Sequence, residues 1–80
     1  MLKEIKENLK KDFLEKLPPL VPRDKVYELT GGLISRKTLA NLDSLGQGPK
    51  KRLCFGKKVC YPKEIFVEWL LERIDVYKNF

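Results

Sequence analysis

SRKTLANLDSL (residues 35–45), followed by GQGPKKRLCFGKKVCY (46–61), changes its hydrophobic period partway along and decides the fold of the chain. In the first piece Leu39, Leu42 and Leu45 recur at three-residue steps and mark the inner face of a helix. Arg36, Lys37, Ala40, Asn41 and Ser44 fall largely on the outer face. Ser35 suits the N-cap, because its hydroxyl can accept a hydrogen bond from an otherwise orphaned backbone amide. Gly46-Gln47-Gly48-Pro49 closes this helix and forms a loop. From there the period is two: Leu53 and Phe55 alternate with Arg52 and Cys54, and Val59 and Tyr61 alternate with Lys58 and Cys60. That pattern predicts a β-hairpin with one apolar and one polar face. The expected register sets Phe55 opposite Val59 and Leu53 opposite Tyr61, with Gly56-Lys57-Lys58 as the loop and two lysines at its tip. It also sets Cys54 opposite Cys60 on the outer face.

Upstream, Leu2, Ile5, Leu9, Phe13 and Leu17 form one apolar stripe on a helix of about four turns. Pro18-Pro19 ends it, since proline has no amide donor and clashes with the preceding turn. Leu20-Val21-Pro22 reads as extended. A short helix is expected over Arg23 to Thr30, with Val26, Tyr27 and Leu29 inward, stopped by Gly31-Gly32. Downstream, Pro62 suits the first turn of a helix running from Lys63 to about Ile74. Ile65, Phe66, Trp69, Leu70 and Ile74 should point inward. Trp69, Tyr61 and Tyr27 are expected in the core. Residues 75–80 read as a loose tail, although Tyr77 and Phe80 could pack back. The stripe on residues 1–17 needs a cover, either the chain's own domain (residues 20–74) or the same helix of a second copy.

The chain carries a formal net charge of +6, and its position matters more than its size. The termini nearly balance. Between residues 18 and 62, Arg23, Lys25, Arg36, Lys37, Lys50, Lys51, Arg52, Lys57 and Lys58 face only Asp24, Glu28 and Asp43. A basic zone confined to one part of a small fold favours a polyanion, usually nucleic acid. With no histidine in the chain, His general bases, Ser-His-Asp or Cys-His systems and His metal ligands are excluded. Cys54 and Cys60 are too few for a zinc site without histidine. They read as inert thiols. Gly31-Gly32 lacks the Lys-Ser/Thr of a phosphate-binding loop. No apolar run approaches the ~20 residues of a membrane span, and MLKEIKENLKKDF has no signal-peptide core. These features predict a cytoplasmic, nucleoid-associated protein that is not an enzyme and needs no cofactor, metal or small-molecule substrate.

Two short helices joined by a glycine-containing turn, then a basic hairpin, follow the order of a winged helix-turn-helix. The pieces VYELTG, SRKTLANL, GQGPKKRLCFGKKVCY and the helix ending VEWLLE resemble, over Leu20 to Leu71, the excisionase-like helix-turn-helix family. That family is related to the DNA-binding heads of MerR-type regulators and includes phage excisionases and small AlpA-type regulators. The resemblance implies double-stranded DNA as partner, a mobile-element or phage origin, and either an integrase-contacting architectural role or promoter regulation. It carries over Arg36, Lys37, Thr38 and Asn41 for the major groove and Arg52, Lys57 and Lys58 for the wing. Ser35 at the helix start and Lys50 and Lys51 leading into the wing complete the candidate DNA contacts. This chain departs from the family in a longer turn over residues 30–35, in Ala40 where relatives often carry a larger side chain, and in the N-terminal helix. The competing expectation is a protein-interaction adaptor on the same fold, gripping its partner through the Leu2/Ile5/Leu9/Phe13 stripe.

Overall fold

A computed structural model describes residues 1–75 as an α+β fold of four α-helices and a three-stranded antiparallel sheet. Helix α1 spans Leu2–Lys16, strand β1 Leu20–Pro22, helix α2 Val26–Leu29, helix α3 Arg36–Ser44, strands β2 and β3 Leu53–Phe55 and Lys58–Pro62, and helix α4 Lys63–Glu72. A 3₁₀ turn, Arg23–Lys25, leads directly into α2. The first short helix is therefore less regular than its expected single α segment over Arg23 to Thr30. The tail beyond Asp75, with Tyr77 and Phe80, lies outside the described residues.

Leu17 terminates α1 in an extended conformation, φ −82° and ψ 146°. The ring of a following proline disfavours the α region for the residue before it. The Lys63 ammonium donates to the Leu14 carbonyl at 2.9 Å, satisfying one of the acceptors a helix end leaves free. The Lys63 amide donates to the Pro19 carbonyl at 3.0 Å, so the end of α1 and the start of α4 are tied together. Helix α1 then packs along α4. This explains why α4 buries Val67 and Leu71 in addition to Phe66, Trp69 and Leu70, leaving mainly Glu64, Glu68 and Glu72 outside. Helix α4 stops at Glu72, two residues before the expected end, and Ile74 packs on the core from beyond it.

The extended segment Leu20–Pro22 is a third strand, and the sheet order is β1-β3-β2. Val21 pairs with Tyr61, and both are fully buried. The expected hairpin register is off by one. Leu53 pairs with Cys60, Cys54 with Val59 and Phe55 with Lys58, leaving a two-residue turn of Gly56-Lys57. Gly56 has φ 62°, and no other residue type in the described chain has positive φ. Positive φ at the first turn position alone fits a type II′ hairpin, whose twist suits the flanking strands. A one-residue slip transfers side chains to the opposite face. Leu53 and Phe55 therefore share a face with Cys60, not with Val59 and Tyr61. Cys54 is exposed and Cys60 buried, so the two thiols do not face each other.

Two further expectations fail at the helices. Tyr27 is 58% exposed. Its ring lies over Gly32, and its carbonyl accepts the Gly32 amide at 2.7 Å. A single helical turn cannot bury Val26 and its immediate neighbour together. Leu45 is also exposed, because α3 ends at Ser44 and the chain turns away. The core is Leu17, Val21, Val26, Ile34, Leu39, Tyr61, Phe66, Val67, Trp69, Leu70 and Leu71. The Trp69 indole N–H donates to the Gln47 carbonyl at 2.9 Å, fastening the loop after α3 to α4. No helix among the described residues is long and apolar enough to cross a membrane.

Candidate nucleic-acid interface

Helix α3 is capped as its sequence requires. The Thr38 amide donates to Ser35 Oγ at 3.1 Å, and the Ser35 hydroxyl donates to Thr38 Oγ1 at 3.0 Å. The first turn of α3 carries no acid, so the positive end of its dipole is not neutralised from within the helix. Arg36 is exposed and reaches back to Asp24, Nη1 to Oδ1 at 3.3 Å. A pair this exposed holds the guanidinium weakly.

Between α3 and the β2–β3 hairpin runs a cleft of about 400 Å³. Arg36, Lys37 and Asn41 line it from the helix, and Lys57 and Lys58 from the hairpin. Ala40 and Val59 form part of its wall, with Arg23 and Asp24 also lining it. Five of the ten candidate contacts are therefore together. The others are not. Ser35 and Thr38 stand at the helix start outside the cleft, with their hydroxyls bonded to each other. Lys50 and Arg52 border a separate recess beside Asp43, Gly46, Gly48 and Pro49. Lys51 is exposed but lines neither space. From Ser44 to Lys63 the sequence contains six basic residues and no acid. The hairpin and its approach thus have no internal counter-charge.

What fixes the helix relative to the hairpin is a buried polar triad. Asp43 Oδ2 accepts from Arg23 Nη2 at 2.6 Å and from the Tyr61 hydroxyl, and Arg23 Nε donates to Tyr61 Oη at 3.0 Å. The Asp43 side chain is 2% exposed and Arg23 20%. Three segments meet here: the turn before α2, the inner face of α3, and central strand β3. Burial raises the Tyr61 phenol to about 12, reinforced by its hydrogen bond to Asp43 and only partly opposed by Arg23. Burial opposes the Arg23 charge, but hydrogen bonds to Tyr61 and Asp43 more than offset this and hold its pKa above the usual value. Gly48 approaches closely. A Cβ there would lie 1.9 Å from Asp43 Oδ1, so the loop after α3 can cover the carboxylate only with glycine.

Sequence reasoning missed this triad. Its one signal is Asp43 itself, four residues after Leu39 and so on the same face of α3. Arg23 had no local mark separating it from the surface bases. Among the described residues, no cluster of three or more Cys, Asp or Glu could hold a metal ion. No protein-family model matches the chain, nor does any curated protein or solved structure.

Proposed function

We propose that the chain is a duplex-DNA-binding module of the winged helix-turn-helix type, with no catalytic chemistry of its own. Arg23–Leu29 serves as the first helix of the motif, α3 enters the major groove, and the β2–β3 hairpin lies along the neighbouring backbone or minor groove. The observation that carries this reading is the shared cleft, where exposed donors and cations from α3 and the hairpin converge. A major groove admits an α-helix, and side chains near its N-terminus read base edges while lysines on a flanking hairpin meet phosphates. In this assignment Arg36 and Asn41 read bases. Lys37, Lys57 and Lys58 contact phosphates, with Arg52, Lys50 and Lys51 strengthening the field from beside the wing. Both an architectural, excisionase-like role and a small promoter regulator use such a surface. DNase footprints separate them: tandem sites beside an attachment locus mark the former, a palindrome over a promoter the latter.

The test is a salt titration of duplex binding. If about five phosphates are neutralised, log K falls against log salt with a slope of roughly −4 to −5. A flat titration removes the proposal. It would favour the adaptor reading, for which the relevant feature is a groove of about 510 Å³ between α1 and α4, lined partly by Leu2 and Leu71.

A further inference from the structure

We propose that Phe55 is a wedge, which the hairpin inserts from the minor-groove side between two base pairs of the bound duplex. This rests on the DNA-binding reading above and assigns a role that the cations alone leave unfilled. Phe55 is 80% exposed, beside a turn whose neighbouring residues are basic. Strand alternation turns it away from the core residues around Tyr61. Phe55 pairs with Lys58 and lies two residues from Leu53, on the face of the sheet opposite the buried pair Val21 and Tyr61. Cys60 on the same face is buried, so the cover reaches the middle of β3 and stops short of the turn, where Phe55 lies. The exposure is thus built into the hairpin.

A side chain that opens a base step has to be apolar, free of intramolecular partners, held on a stiff support, and flanked by cations that keep the phosphates close. Phe55 is apolar, 80% exposed, set on a paired strand beside a two-residue turn, and flanked by cations. It ends a strand paired along its whole length, and Gly56-Lys57 makes the shortest hairpin turn. Lys57 and Lys58 follow it in sequence, and Arg52 precedes its strand. The lack of any acid between Ser44 and Lys63 favours a polyanionic occupant. An apolar pocket on a neutral or basic protein would not favour this cationic approach. A duplex offers negative phosphates around an apolar stack.

The experiment closes a nicked plasmid with ligase in the presence of the protein, then reads the linking number after the protein is removed. It needs no knowledge of the target site. Wild type shifts the topoisomer distribution, because opening a base step unwinds the helix. Phe55→Ala keeps the same melting temperature and the same salt slope in gel shifts. It binds the duplex within about tenfold of wild type, at the low end of a single base–aromatic contact, and loses the topoisomer shift. Phe55→Leu, still an apolar wedge, retains most of it. If Phe55→Ala shifts topoisomers as wild type does, the wedge is wrong while DNA binding stands. If wild type shows no salt-dependent gel shift, the DNA reading and the wedge fall together. A lowered melting temperature for Phe55→Ala would mean that the ring supports the fold, which also overturns the assignment.

Discussion

Arg23, Asp43 and Tyr61 illustrate how the angle between α3 and the hairpin rests on a buried polar contact, of which only Arg23 also lines the cleft. Removing one member of a buried, hydrogen-bonded ion pair typically costs about 3–5 kcal/mol, because the remaining charge stays buried without compensation. The raised Tyr61 phenol gives this arrangement a pH signature. An unfolded tyrosine releases its proton near pH 10, whereas Tyr61 in the folded chain holds it to about 12. Between those values the unfolded state binds fewer protons than the native state, so stability falls as pH rises. It is intact below pH 10 and decreases by roughly 2–3 kcal/mol on reaching pH 12, at 1.36 kcal/mol per unit. Urea midpoints of wild type and Tyr61→Phe across this range isolate the effect, since lysine titration is common to both. Parallel curves would show that the phenol titrates normally. Alternation alone placed Tyr61 inward. Nothing local linked it to Arg23, 38 positions earlier, and the one local mark, Asp43 on the inner face of α3, reads as an interruption of the apolar stripe unless its partners are known.

At the scale of elements, period and punctuation were informative and register was not. Helix α3, its Ser35 cap and the two hairpin strands lie close to where the hydrophobic spacing sets them, although Lys58, expected in the loop, begins β3. The hairpin loop was legible only as a glycine among lysines. A three-residue and a two-residue turn are equally compatible with that string, but they send Leu53 and Phe55 to opposite faces. The third strand was equally obscure, since Leu20-Val21-Pro22 is extended in either case and its partner is 38 or more residues away. The proposed division of labour between α3 and the hairpin predicts two kinds of failure. Arg36→Ala and Asn41→Ala should cost about 1–3 kcal/mol on a site selected from random duplex DNA, and much less on unselected DNA. Lys57→Ala and Lys58→Ala should weaken both about equally and make the salt slope shallower by about 1 each. Reversed preferences, with hairpin variants altering sequence choice and helix variants not, would exchange the two roles.

For the whole molecule, α1 matters because a chain of this length builds a thin core. Its stripe was plain from sequence, but its cover was not, since two surfaces can satisfy an amphipathic helix equally well. Here α4 of the same chain supplies part of it, through the face bearing Val67 and Leu71: Leu9 and Phe13 pack against the core, whereas Ile5 of the expected stripe is 44% exposed. Deleting residues 1–17 removes that cover along with buried Leu17. The expected result is a lower melting temperature and urea midpoint, read by circular dichroism. An unchanged melt would mean that α1 contributes nothing to the fold. Light scattering on the same pair tests whether the stripe also joins two copies. The strand order has a consequence for the order of events during folding. Strand β3 is last in sequence yet central in the sheet, and both β1 and β2 pair only with it. A growing chain therefore has no native strand pair to form until residue 58 is available. The Asp43 carboxylate likewise waits for Tyr61. The β2–β3 hairpin can then close locally, whereas β1 and the helix-to-hairpin angle depend on pairings over long sequence separations, the slow kind to form.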